Sequence, residues 1–306
     1  MEHAGVARVG AGRGRAESVR EIAVDRSWWA WAGAHGGHLA ALALDAMRDT
    51  LFERPDSGRS VRTVNAHFLR PVDDRPFVLA TTVEHAGRGT SVTSFRAEQA
   101  GDPVLLGSAV FGARRPGPDQ DGGPAPTVAP VEACAPLELP VELVPFARRL
   151  EIRPATATLP LSGAADAELT AWIRFADGRP LDAAAVVVLA DALPPALFAR
   201  WTRPRPVPSA ELTVHFGDAL DDGPVPGWAL VRIRTQHAGS GWAMDDSAVW
   251  TPDGRLLALG RQARRILPDS APADSAAASA ADSPADSAAA SATVSAAAVA
   301  AAPVGS

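Results

Sequence analysis

The chain has 306 residues, 47% hydrophobic and 21% charged, with a formal charge of −6; that composition suits a globular protein and gives no support to a fibre. Four of the acids (Asp269, Asp274, Asp282 and Asp286) lie in a tail without a base, leaving −2 for the body. A nearly neutral body excludes a nucleic-acid binder, whose affinity rests on clustered positive charge.

All 29 basic residues are arginine, which reads as coding bias and not as function. Cys134 is the only cysteine, so no internal disulfide and no cysteine-based zinc site can form. No stretch reaches the roughly 18 apolar residues of a membrane span and no secretory leader is evident, so a cytoplasmic protein without stable membrane insertion is expected.

The first predicted element is a helix. It follows the glycine pair of "AHGGHLAALALDAM" and puts Leu39, Leu42, Ala43, Ala46 and Met47 on one face at i, i+3, i+4 and i+7. Strand-like runs come next, "VRTVNAHFL", "FVLATTVEH", "TSVTSFRAE" and "PVLLGSAVF", separated by "PVDD", "AGRG" and "AGD" turns. Residues 114–140 are rich in proline and glycine and read as a linker. Beyond it the order is a strand "AELTAWIRF", one helix over "AAAVVVLADALPPALFARW", then strands "SAELTVHF", "WALVRIRTQ", "WAMDDSAVW" and "RLLALGRQARRI". Residues 268–306 repeat "ADS" and "AAASA" and hold too little apolar surface to offset the entropy of ordering, so they read as a disordered tail. Deleting residues 271–306 is therefore expected to leave the melting temperature and any activity nearly unchanged, checked by calorimetry on the truncated chain.

The two halves repeat each other. "AHF" at Ala66 recurs as "VHF" at Val214, "EHAGRG" at Glu84 as "QHAGSG" at Gln236, and Leu105 aligns with Leu256 at an offset of 151. The expected domains are residues 1–113 and 141–267, each an α+β unit with an antiparallel sheet wrapped around one central helix, the two sheets joining into one. His67 and His215, matched across the repeat, read as core or interface residues. Trp28, Trp29 and Trp31 read as core, with an acyl tunnel as the alternative.

"HGGHLAA", "HFLRP", "GRGTSV", "LADALPP", "SAELTVHF" and "GRQARRI", in that order, give a chain that resembles the acyl-CoA thioesterases of the thioesterase II type. The resemblance implies two fused hotdog domains (a double hotdog) and hydrolysis of fatty acyl-CoA by a water held on an Asp, a Thr or Ser, and a Gln. Carried over, these fall on Asp191, Ser209 and Gln262, with Glu211 standing where the family pattern has Asp. Acyl-CoA is the expected partner, a homodimer the expected assembly, and no cofactor is called for.

A thioester carbonyl has little resonance stabilisation, so one carboxylate activating a water is sufficient. Asp191 would be the general base, its pKa raised by burial from about 3.9 toward the working pH. It also reads as a helix N-cap ahead of Pro194 and Pro195. Ser209 and Gln262 would orient the water. Gly36, Gly37 and His38 are the expected substrate-binding residues, because glycines admit a ligand close to the backbone and a helix start offers unpaired N–H groups. A metal between His35 and His38 is disfavoured, with no further ligand at suitable spacing. By the 151 offset Gln262 corresponds to Phe111, and by the offset of 148 between "AHF" and "VHF" Ser209 corresponds to Val61, so the second half carries polar residues where the first is apolar. Two alternatives are a catalytically silent acyl- or lipid-binding hotdog protein and an acyl-CoA hydratase, the latter needing an Asp-x4-His segment that the second half lacks.

Overall fold

A computed structural model of the chain describes residues 6–7, 16–51, 59–118, 120 and 123–268. The tail expected from Pro268 onward lies, past that proline, outside the described residues.

The first half holds β1 (Val6–Ala7), β2 (Glu17–Ile22), β3 (Trp29–Ala30), β4 (Gly33–Ala34), α1 (Gly36–Leu51), β5 (Arg59–Phe68), β6 (Phe77–Ala86), β7 (Thr90–Gln99) and β8 (Asp102–Ala113). The second holds β9 (Leu150–Pro154), β10 (Glu168–Phe175), α2 (Ala183–Ala190), α3 (Leu197–Arg200), β11 (Ser209–Phe216), β12 (Ala229–Gly239), β13 (Trp242–Trp250) and β14 (Leu256–Arg265). Twelve of these strands form one antiparallel sheet in the order β1-β2-β6-β7-β8-β5-β11-β14-β13-β12-β10-β9. The halves meet where β5 pairs with β11, Val64 opposite Val214. Each half wraps its sheet around one central helix, α1 of 16 residues and α2 of 8, the double hotdog architecture.

Strand periodicity decides which side chains enter the core. On β7 Ser91, Thr93, Phe95 and Ala97 are buried while their neighbours face out, the alternation of a one-sided sheet. Helix α1 buries Leu39, Ala40, Ala43, Leu44, Ala46 and Met47, close to the stripe read from sequence, and packs against α2. Burying Leu44 and Met47 contributes about 1.5–3 kcal/mol each, and the alanines between them let the two helices approach.

The single helix expected over 183–201 is instead two. Asp182 caps α2 by accepting the Ala185 N–H at 2.8 Å, and α2 ends at Asp191 before α3 resumes at Leu197. Pro194 and Pro195 supply no N–H and disfavour helical backbone before them, which breaks the run.

Three further expectations change. His67 and His215 are exposed, on the outward face of β5 and β11, which removes the core reading and leaves the interface one. Trp28 and Trp29 pack on the core half-buried, but Trp31 is 45% exposed. The stretch between the halves packs on the second one: Ala129 O accepts the Trp172 indole N–H at 2.9 Å, and Cys134 is buried beside Trp172, Leu230 and Trp250.

The sheet also corrects the register of the internal repeat. Val61 opposes Phe111 on β5 and β8, as Ser209 opposes Arg264 on β11 and β14. Thr93 opposes Ala109 as Asp245 opposes Gln262. The last strands therefore align Gly260 on Gly107, an offset of 153. Phe111 is thus the counterpart of Arg264, and Gln262 answers to Ala109.

Candidate active site

Asp191 ends α2 at the point where the start of α1 comes closest. It is the C-cap of its own helix and not an N-cap there, yet its Oδ2 accepts the N–H of Gly37 at 2.8 Å, so it caps α1 from across the helix pair. Only glycine allows this approach. A Cβ on Gly37 would stand 2.8 Å from Asp191 Cβ, and one on Gly36 3.2 Å from Asp191 Oδ2.

The other residues come from the sheet. Gln262 and Arg264 are two apart on β14 and so share the inward face. A β-bulge between Ser209 and Glu211 turns Ser209 toward the same face, opposite Arg264. Gln262 Nε2 donates to Asp191 Oδ1 at 2.6 Å and to Ser209 Oγ at 3.3 Å. The sequence-derived trio therefore converges at the start of α1. Glu211 faces the other way, where its carboxylate accepts from Asn65 Nδ2 at 2.8 Å and from the Thr213 hydroxyl, tying β5 to β11.

Three members of the cluster were not among the catalytic or substrate-binding residues expected from sequence. Arg264 is 5% exposed, and its guanidinium donates to Asp191 Oδ1 at 3.3 Å, Gln262 Oε1 at 2.5 Å and Ser209 Oγ at 3.0 Å. Its Nε lies 3.0 Å from Asp245 Oδ2, and Asp245 Oδ1 accepts the Thr235 hydroxyl at 2.6 Å. His35 Nε2 lies 3.0 Å from the Asp191 carbonyl oxygen and 3.5 Å from Oδ2. The usable signal for Arg264 was strand parity with Gln262.

The electrostatics overturn the expected pKa rise. Burial pushes the Asp191 carboxyl up, but the His35 ring, the Arg264 guanidinium, the Gln262 amide and the Gly37 N–H together hold it below its ordinary value of 3.8. The carboxylate is ionised throughout the physiological range.

His38 stands apart from this cluster. Its ring lies flat on Trp28, centroids 4.1 Å apart, and its N–H donates to His35 Nδ1 at 3.2 Å. Burial, reinforced by His35, Arg179 and Arg149, lowers the His38 pKa to about 3, so the ring is neutral. The helix-start N–H groups expected to face a ligand are mostly taken: Gly37 by Asp191, His38 by His35 Nδ1, and Leu39 by His35 O. Among the described residues the Gly36 N–H has no such acceptor. A groove of about 250 Å³ touches Gln262 but is lined by outward-facing Glu211, Trp242 and Met244. Among the described residues no group of three or more His, Cys, Asp or Glu is arranged to hold a metal.

The architecture defines a double hotdog protein. Residues 25–112 match the acyl-CoA thioesterase N-terminal domain and residues 124–266 the acyl-CoA thioesterase C-terminal domain, so the chain belongs to the acyl-CoA thioesterase family. Among solved structures it is similar to a conserved hot dog fold protein of unknown function from Alicyclobacillus acidocaldarius, with 24% identity, TM-score 0.73, and 84% of this chain and 95% of that one covered. It is also similar to an acyl-CoA thioesterase II from Mycobacterium marinum, with 20% identity, TM-score 0.65, and 83% and 94% covered. No curated protein sequence matches it. No described helix is long and apolar enough to cross a membrane.

Proposed function

We propose that this chain hydrolyses fatty acyl-CoA thioesters to free acid and CoA, with Asp191, Ser209 and Gln262 acting on one water. The observation that carries the reading is their convergence at the start of α1, with the Gln262 amide within hydrogen-bonding distance of both Asp191 and Ser209. The family to which the chain belongs supports acyl-CoA as substrate.

In this reading a water gives its proton to the ionised Asp191 as its oxygen attacks the thioester carbon. The carbonyl oxygen becomes an oxyanion, for which the Gly36 N–H at the positive end of α1 is the available donor. Collapse breaks the C–S bond, and the departing thiolate recovers the proton from Asp191. A base held below 3.8 is weak, but it is wholly ionised at neutral pH and the thioester needs little activation. Cys134, buried and unpaired, suits a reducing compartment, and we assign the activity to the cytoplasm.

The pH dependence follows from the direction of the shift. Because the Asp191 pKa is depressed on folding, kcat/KM is expected to stay flat on its acid side until the pH falls below the ordinary carboxylate range. Stability from this carboxylate is present above its unfolded pKa and lost as the pH drops through the folded one. A fall in kcat/KM already between neutrality and about pH 5 would assign the titration to another group.

One observation favours a second reading, a silent acyl-binding protein: Arg264 bridges Asp191 and Ser209, the two groups meant to hold the water. Thiol release from a long-chain acyl-CoA, followed with a thiol reagent, separates the two. Multiple turnovers support the thioesterase; tight binding of intact acyl-CoA without thiol release supports the binding protein.

A further inference from the structure

Arg264 carries a charge into a site whose proposed chemistry needs only a carboxylate, a hydroxyl and an amide. We propose that Arg264, clamped from behind by Asp245, is a positioning residue whose guanidinium fixes which way the Gln262 amide and the Ser209 hydroxyl point. The inference rests on the thioesterase reading for its kinetic consequences, although not for its geometry.

An amide side chain has two orientations of opposite polarity, and a hydroxyl can donate or accept. Arg264 removes both ambiguities. Its NH2 group donates to Gln262 Oε1, which obliges the Gln262 Nε2 to be the atom facing Asp191 and Ser209. Ser209 Oγ receives Arg264 at 3.0 Å and Gln262 at 3.3 Å. With both lone pairs occupied, the hydroxyl has only its proton left to offer. A water here would donate to the carboxylate and accept from Ser209, the two groups that the Gln262 amide protons hold in place for it, which leaves its remaining lone pair for the thioester carbon.

Asp245 explains why the guanidinium stays put. It is 1% exposed, lies 3.0 Å from Arg264 Nε and is itself held by Thr235. The planar fork thus has its Nε side on Asp245 and its two terminal nitrogens on the site, a division of labour that a lysine point charge cannot reproduce. The repeat supplies a comparison within the molecule. The first half places Phe111, Ala109, Thr93 and Val61 at the positions of Arg264, Gln262, Asp245 and Ser209, so fold maintenance alone does not require this set.

The groups facing Asp191 are His35 ahead of α1, the Gly37 N–H, and Gln262 and Arg264 on β14. Removing the Arg264 charge while leaving His35 makes a specific change. In the full chain, Arg264→Gln is expected to lower kcat about tenfold or more with KM within about twofold, and to move the acid limb of kcat/KM to higher pH. Arg264→Lys is expected to restore the acid limb but only part of kcat. Because Arg264→Gln strands Asp245, the pair replacement Arg264→Met with Asp245→Leu is made alongside it, an exchange that buried ion pairs often tolerate. The Asp191 carboxyl is also titrated directly by carbon-13 NMR, its signal assigned by its loss in Asp191→Asn. An upward shift of that titration in Arg264→Gln or the pair variant supports the positioning role even if the wild-type chain hydrolyses nothing, the result that would sink the thioesterase reading alone. A folded Arg264→Gln or pair variant with wild-type kcat and an unmoved Asp191 titration overturns the proposal.

Discussion

Asp191→Asn is expected to lower kcat about 100-fold or more while KM changes little, because the shape is kept and the base is lost. The substitution has a structural cost that the same experiment must measure. Asp191 Oδ2 accepts from Gly37, and Oδ1 accepts from Gln262 and Arg264, so both ends of the carboxylate face donors. Asparagine has one oxygen, and its NH2 must meet a donor on one side or the other. That mismatch in a buried site costs about 1–3 kcal/mol. For a chain of this size it amounts to roughly 2–4 °C of melting temperature per kcal/mol. The check is kcat, KM and the melting curve on one preparation at a temperature where the variant is folded. A folded Asp191→Asn with turnover near wild type would take Asp191 out of the chemistry.

Gly37→Ala is expected to destabilise the chain by about 1–3 kcal/mol and to lose most activity. The new methyl would stand 2.8 Å from Asp191 Cβ, 3.0 Å from His35 Cε1 and 3.1 Å from the Val187 carbonyl oxygen. Two of those neighbours are at or beside backbone and cannot rotate away. Alanine's gain in helix propensity, at most about 1 kcal/mol and smaller in the first turn, does not offset the overlap. Relief comes from pushing Asp191 off α1, which lengthens the Gly37 N–H bond that holds it. Denaturant melts and thiol-release rates on Gly37→Ala test this; wild-type stability with full activity would mean that the two helices can separate without consequence.

Most of the architecture was legible because alternation and the i, i+3, i+4 stripe are local signals. The long strands β5–β8 and β10–β14 and the helix after "AHGGH" follow from them, and the joining of the halves into one sheet follows from the internal repeat with one helix per half; β1–β4 and β9 are too short or too weakly patterned to be read. What escaped depends on contacts across the sheet. The repeat was aligned on its leucines, but Gly107 and Gly260 are the equivalent positions, each kept small by a neighbour across the sheet, Asn65 O and Ser247 Oγ respectively. Arg264, near the end of the last strand, reads in isolation as a solvated cation; its burial is made possible by Asp245, a residue on the neighbouring strand β13. The expected rise in the Asp191 pKa considered burial alone and omitted four favourable partners, two of them, His35 and Gly37, more than 150 positions away.

The central claim is that Asp191 and Gln262 act on one water as a unit, and a double-mutant cycle on thiol release measures that directly. Gln262→Ala alone is expected to lower kcat by less than Asp191→Asn, and Ser209→Ala likewise. Once Asp191→Asn is present, adding Gln262→Ala should lower kcat by no more than about twofold further, because a group that orients a water for an absent base has nothing left to contribute. Losses that multiply independently, each variant keeping its full effect in the presence of the other, would contradict it.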